Sequence, residues 1–138
     1  MTKKDKELLF KDLSARLPYH VRLKVWLKEG TTEEGFLDLE HNYDDVLRAA
    51  FYYNDIKDIK PYLRPLLSMT EEEREELRQE HIKDEQLYTD CIKNHPEMRG
   101  LIIPHFAADW CNKNMFDYHG LIPKGLAIEV TKENNPYK

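Results

Sequence analysis

The run from His20 to Leu27 constrains this chain more than any other, because it alternates without a break. Val21, Leu23, Val25 and Leu27 fall on one side of an extended segment; His20, Arg22, Lys24 and Trp26 fall on the other. The pattern specifies a strand with one apolar face and one face of cations and an aromatic ring. Pro18 closes whatever helix comes before it, since the residue ahead of a proline is pushed out of the helical region. Gly30 and the polar run Thr31 to Glu34 read as a turn, and Gly35 to Leu39 as a returning strand.

Leu9, Leu13 and Leu17 recur at a spacing of four and predict a leading helix. The stretch Val46 to Tyr53 fits a third strand through Phe51-Tyr52-Tyr53, although Val46, Leu47, Ala49 and Ala50 can also line a helix. Beyond Pro61 and Pro65, Thr70-Glu71-Glu72-Glu73 has the capping-box arrangement, in which Thr70 accepts the amide of residue 73 and Glu73 reaches back. This predicts a helix after Thr70, a second from Glu85 to Asn94 and a third from about His105 to Asn114. Gly120 and Gly125 turn the chain into a closing strand within Leu126 to Val130, and Lys132 to Lys138 reads as a frayed tail. The expected fold is therefore α+β in a single domain over 1–131: an N-terminal helix, a small antiparallel sheet, an inserted helical segment and a C-terminal strand. An SH3-like half-barrel is one form that sheet can take.

A chain of 138 residues suits one domain with a real core. Its net charge of -5 argues against sequence-independent binding to duplex nucleic acid, which needs a basic face. The start, Met1 to Lys6, is charged rather than signal-like, and no run approaches the roughly 20 apolar residues that span a bilayer. Cys91 and Cys111 are too few for a disulfide scaffold. A protein of the cytoplasm is the expectation, with no membrane partner.

Two groups of residues suit a phosphorylated ligand. Arg22, Lys24 and Trp26 set cations beside a ring on one strand face, where a phosphate can be held and a base stacked. Lys60, Tyr62 and Arg64 project from a segment stiffened by Pro61 and Pro65, and an arginine fork matches phosphate or carboxylate. Tyr118, His119 and Lys124, in the dense C-terminal block, extend the candidate set; the bland reading of Phe116 and Tyr118 is a loop that plugs the core. For metals, His41 with Asp44 and Asp45, the set His105, Cys111 and His119, and the helical pair His81 and Glu85 offer suitable atoms without a recognised spacing. No metal, no cofactor and no catalytic residue is assigned. A hydrolase using His119 and Asp117 ranks last, because no nucleophile or phosphate-loop motif accompanies them.

Three blocks resemble a known family. They are Lys11-Asp12-Leu13-Ser14-Ala15-Arg16-Leu17-Pro18-Tyr19, Ile59 through Pro65 to Glu73, and Asp109-Trp110 through Phe116-Asp117-Tyr118-His119-Gly120 to Ala127. In that order they are similar to small proteins of gut bacteria, their phages and prophages. The chain departs at His20, where that family would carry glycine, and at His119, where it would carry arginine. The resemblance supplies no activity; a phage setting implies a protein that meets the host in its cytoplasm. Two roles follow as expectations. One is non-enzymatic capture of a phosphorylated, nucleotide-like host signal, in a homo-oligomer that encloses it. The other is an adaptor or inhibitor that binds a host protein through Trp26, Tyr52 or Tyr53.

Overall fold

The computed structural model describes residues 2–37, 56–94, 96–98 and 106–138. The predicted third strand at 46–53, and His41, Asp44, Asp45 and His105, lie outside these residues. Helix α1 spans Lys3–Arg16 and starts at a reciprocal cap, in which the Thr2 hydroxyl accepts the Asp5 amide and the Asp5 carboxylate accepts the Thr2 amide, both at 3.1 Å. It ends at Arg16, two residues before Pro18, yet Leu17 keeps helical dihedrals (φ -52°, ψ -40°) rather than leaving the helical region, and a 3-10 turn over Leu17–Tyr19 leads to His20. His20 takes a left-handed backbone (φ 57°), a conformation that suits glycine and that histidine tolerates at some cost.

Strand β1 (Val21–Leu27) follows, then β2 (Thr32–Leu37) and β3 (Ile56–Leu63). β1 pairs antiparallel with both, opposing Lys24 to Glu34 on one side and to Lys60 on the other. A short β4 (Ile128–Glu129) joins β3 in parallel, giving the order β2-β1-β3-β4. The sheet is thus mixed where an antiparallel one was expected. Thr32 to Glu34, expected as turn, already belong to β2; the bend is confined to the residues just after Leu27. The segment 60–63, expected as an extended stretch stiffened by prolines, is the end of a strand with neighbours on both sides. Pro61 is tolerated there because β4 pairs only with Tyr62 and Leu63, so the described ladder asks no donor of the proline on that side.

Helix α2 runs unbroken over Glu71–Asn94, where two helices were expected. Neither glycine nor proline interrupts that stretch, so nothing stops propagation. Ile82 and Leu87 are exposed, and pairs such as Arg74–Glu71, Lys83–Glu80 and His81–Glu85 lace its surface. Helix α3 (Phe106–Lys113) borrows its cap from α2, the Asp84 carboxylate accepting the Ala107 amide at 2.9 Å.

The odd-numbered face of β1 builds the core. Val21 and Leu23 pack with Leu37, Ile59 and Leu63 against Leu9 and Leu13 of α1, and Met115, Leu121, Leu126 and Ala127 close it. A second cluster of Met69, Cys111 and Phe116 joins α3 to Leu77 of α2, with Trp110 stacked on Phe116 at 5.6 Å. Between Phe116 and β4 the chain turns through Gly120 and Gly125, both at positive φ. The Asp117 carboxylate anchors that turn by accepting the Leu121 and Ile122 amides at 2.8 and 2.9 Å.

The terminal segment 132–138, expected to fray, is instead pinned by Tyr137. Its hydroxyl accepts the Arg22 amide at 3.0 Å and donates to the Tyr62 carbonyl at 2.6 Å. The β1–β3 register would next oppose those two residues, after Leu23 and Pro61. The phenol therefore stands in for the missing rung of the ladder. Tyr137→Phe leaves a donor and an acceptor without their partner, so a loss of about 1–3 kcal/mol is expected in urea unfolding. An unchanged midpoint would show that the Tyr137 hydroxyl contributes nothing.

Candidate functional site

The even-numbered residues of β1 and their cross-strand partners form the other face of the sheet. Arg22, Lys24 and Trp26 stand beside Phe36, Glu34 and Thr32 of β2, and beside Tyr62, Lys60 and Asp58 of β3. Five of the residues singled out from the sequence therefore converge: Arg22, Lys24, Trp26, Lys60 and Tyr62. At one end both ammonium groups lie over the Trp26 ring, Lys24 Nζ at 5.4 Å and Lys60 Nζ at 5.6 Å from its centroid. Towards the other end the Arg22 guanidinium lies 4.9 Å from the Phe36 centroid.

Glu34 sits within this face. Its Oε1 accepts the Tyr62 hydroxyl at 2.6 Å, and its Oε2 is 3.4 Å from an Arg22 nitrogen. The Tyr62 hydrogen bond, helped by Arg22 and Lys24, holds the Glu34 carboxyl below the usual carboxylate range. Burial first, and then Glu34, push the Tyr62 phenol up to about 12. A cleft of about 430 Å³ opens here, lined by Arg22, Glu34, Phe36 and Tyr62, with the terminal residues Glu133 to Pro136 as its far wall. That volume is within the range of small-molecule sites.

The cations of this face are loosely held. Arg22 meets Glu34 at 3.4 Å, Lys24 meets it at 4.0 Å, and Lys60 meets Asp58 at 3.8 Å. Arg22 Nε is buried with no hydrogen-bond partner among the described residues. By contrast, Arg64 holds Glu73 in a two-pronged pair at 2.8 Å for each bond and lies 4.1 Å from the Phe116 ring centroid. Its amide and carbonyl are committed as well, to the Met115 carbonyl and the Asp117 amide. Arg64 thus joins β3 to the start of α2 and stands apart from the sheet-face group.

Tyr118 and His119 lie in a different place. His119 Nδ1 is 2.8 Å from Asp12 Oδ1, and Tyr118 stacks obliquely on the His119 ring while donating to Asn112 Oδ1 at 2.9 Å. Asp12 and Arg16 are fully buried and joined by bonds of 2.7 and 3.1 Å. Burial pushes the Asp12 carboxyl up, and the hydrogen bonds from His119 and Arg16 more than offset it, so its pKa is lowered overall. This pairing was not foreseen; its one sequence trace is the helical spacing of Asp12 and Arg16. Lys124 is exposed on the turn after Asp117. Among the described residues no group of three or more His, Cys, Asp and Glu gathers as metal ligands, and no helix is long and apolar enough to cross a membrane.

No protein-family model matches the chain, and comparison with curated proteins and with solved structures likewise finds no match.

The Arg64–Glu73 pair gives the site's surroundings an acid limit. The Arg64 hydrogen bonds, helped by Thr70, hold the Glu73 carboxyl at about 2 in the folded chain against an ordinary 4.5. A depressed carboxyl stabilises the fold fully above its unfolded value and loses that contribution as pH falls through the folded one. Between pH 4.5 and about 2 the stability gap between the parent and Glu73→Gln should therefore shrink, as read from urea midpoints across that window. A constant gap would mean that the pair contributes nothing through its charge.

Proposed function

We propose that this protein binds a phosphorylated small molecule with a flat ring on the even-numbered face of its sheet, without turning it over. The observation that carries the reading is the convergence there of Arg22, Lys24 and Lys60 with Trp26, Phe36 and Tyr62, the cations meeting their own carboxylates only at 3.4 to 4.0 Å. A phosphate can take such cations from long, solvent-screened pairs at small cost, whereas Arg64 and Arg16 would have to break short forked ones. The rings offer stacking surface to any base, and each stacked base is worth about 1–3 kcal/mol in comparable sites. The hydrolase built on His119 and Asp117 is disfavoured, because His119 faces Asp12 while Asp117 anchors the 121–122 turn.

A second reading, docking of a protein partner, has its own observation. Leu67 is 92% exposed and Leu66 45% exposed, side by side on the 3-10 turn that follows Arg64. A thermal-shift screen against linear and cyclic nucleotides and other phosphorylated metabolites separates the two. A ligand at 100 times its dissociation constant should stabilise the fold by about 2.7 kcal/mol. The shift should fall in Lys24→Ala and again in the double variant with Lys60→Ala. A flat screen with folded protein would sink ligand capture and favour the protein-docking reading.

A further inference from the structure

Glu34 is a carboxylate set among cations, and its free valences narrow the ligand class. An ionised carboxylate has about four acceptor positions. Tyr62 fills one on Oε1 at 2.6 Å, and Arg22 approaches Oε2 only at 3.4 Å. Each oxygen keeps an open lone pair, on a side chain 38% exposed beside the cleft. Next to it Arg22 Nε is a buried donor with no partner among the described residues. Phe36, 43% exposed, supplies a ring surface at the same place.

A flat edge that carries two adjacent N–H donors and then an acceptor matches the open oxygens of Glu34 and the neighbouring guanidinium. The donors go to the two oxygens of Glu34 and the acceptor to the exposed part of the Arg22 guanidinium, not to its buried Nε. Of the common nucleobases, guanine alone presents donor, donor and acceptor along its pairing edge. Adenine and cytosine would turn a ring-nitrogen lone pair towards the carboxylate, and uracil offers one donor between two acceptors.

The charge along the face fixes which way round such a ligand lies. In the cleft Glu34 and Glu133 outnumber Arg22, whereas around Trp26 Lys24 and Lys60 outnumber Asp58. Glu34, Lys24 and Lys60 stand in one cross-strand row, with Lys24 Nζ 4.0 Å from Glu34 Oε1, and the backbones of Glu34 and Lys60 are two strand spacings apart, about 10 Å. We propose that the cleft at Glu34, Arg22, Phe36 and Tyr62 reads the base of a guanine nucleotide and that Lys24 and Lys60 take its phosphates. This assignment rests on the sheet-face reading above and goes beyond it in naming the base.

Isothermal titration with GDP and with ADP tests it. GDP should bind about tenfold or more tightly than ADP, the discrimination expected of one forked contact. Glu34→Gln should bring GDP down to the level of ADP, because the amide keeps one acceptor and turns a donor towards the base. Lys60→Ala should weaken both nucleotides by a similar factor. Equal affinities, or a preference for ADP, would overturn the guanine assignment and leave ligand capture standing. So would a GDP preference that persists in a folded Glu34→Gln protein. Binding of neither nucleotide, together with a flat response to the wider phosphorylated panel, would overturn both. The comparison on the parent protein decides the matter even where Glu34→Gln loses its fold.

Discussion

The buried pair of Asp12 and Arg16 holds the two ends of this chain in one body. Arg16 spends its guanidinium on Asp12 through two bonds, on the Cys111 carbonyl at 3.4 Å and on the Phe116 carbonyl at 2.5 Å. The Cys111 carbonyl, in the last turn of α3, already accepts the Phe116 amide at 2.9 Å, and the arginine adds a second, longer contact to it. Taking two charges out of water costs several kcal/mol for each ion. Forked geometry, the carbonyls and the third donor from His119 offset that cost only while all partners are in place. Removing one partner of such a pair leaves an uncompensated buried charge, typically worth about 3–5 kcal/mol. From this anchor the chain leaves through the Asp117 turn, lays β4 beside Tyr62 and returns Tyr137 between β1 and β3. The far wall of the cleft is thus fixed by a contact on the opposite side of the sheet.

Two kinds of ion pair divide the labour. Where the fold needs a joint, arginine meets carboxylate in forked bonds of 2.7 to 3.1 Å: within α1, where the Asp12–Arg16 pair in turn holds Phe116 and His119, and between β3 and α2. On the solvent side of the sheet the same chemical types meet at 3.4 to 4.0 Å and share their space with aromatic rings. Surface pairs of the second kind contribute little to stability. In the proposed reading, such loosely held pairs can give up one member to a ligand at small cost.

What could be read from the sequence follows the range of each interaction. The alternation of His20 to Leu27 marks both faces of β1 at once, and the spacing of Leu9 and Leu13 marks the buried side of α1, because both signals are local and periodic. Lys60 and Tyr62 were visible as a basic, aromatic segment stiffened by prolines, but its pairing with two neighbours was not, and the late start of β4 is what makes Pro61 acceptable there. The Thr70–Glu73 cap was legible; the further use of Glu73 as the partner of Arg64 was not, because a capping box looks the same with or without a second donor. The approach of His119 to Asp12 and of Tyr137 to Arg22 spans most of the chain, and no periodicity records it.

Tyr62 joins the frame to the face. Its backbone is set by Ile128 on one side and by the Tyr137 hydroxyl on the other, and its own hydroxyl then fixes the Glu34 carboxylate. Burial and the carboxylate raise the phenol to about 12 while the phenol lowers the carboxyl, so near neutral pH the proton stays on the tyrosine. Glu34 is therefore ionised and acceptor-only at neutral pH, oriented before any ligand arrives. Orientation supplied in advance by the protein is entropy that binding does not have to remove. A carboxylate held in this way selects by geometry: it favours an edge with two donors, and it repels a lone pair brought to the same place.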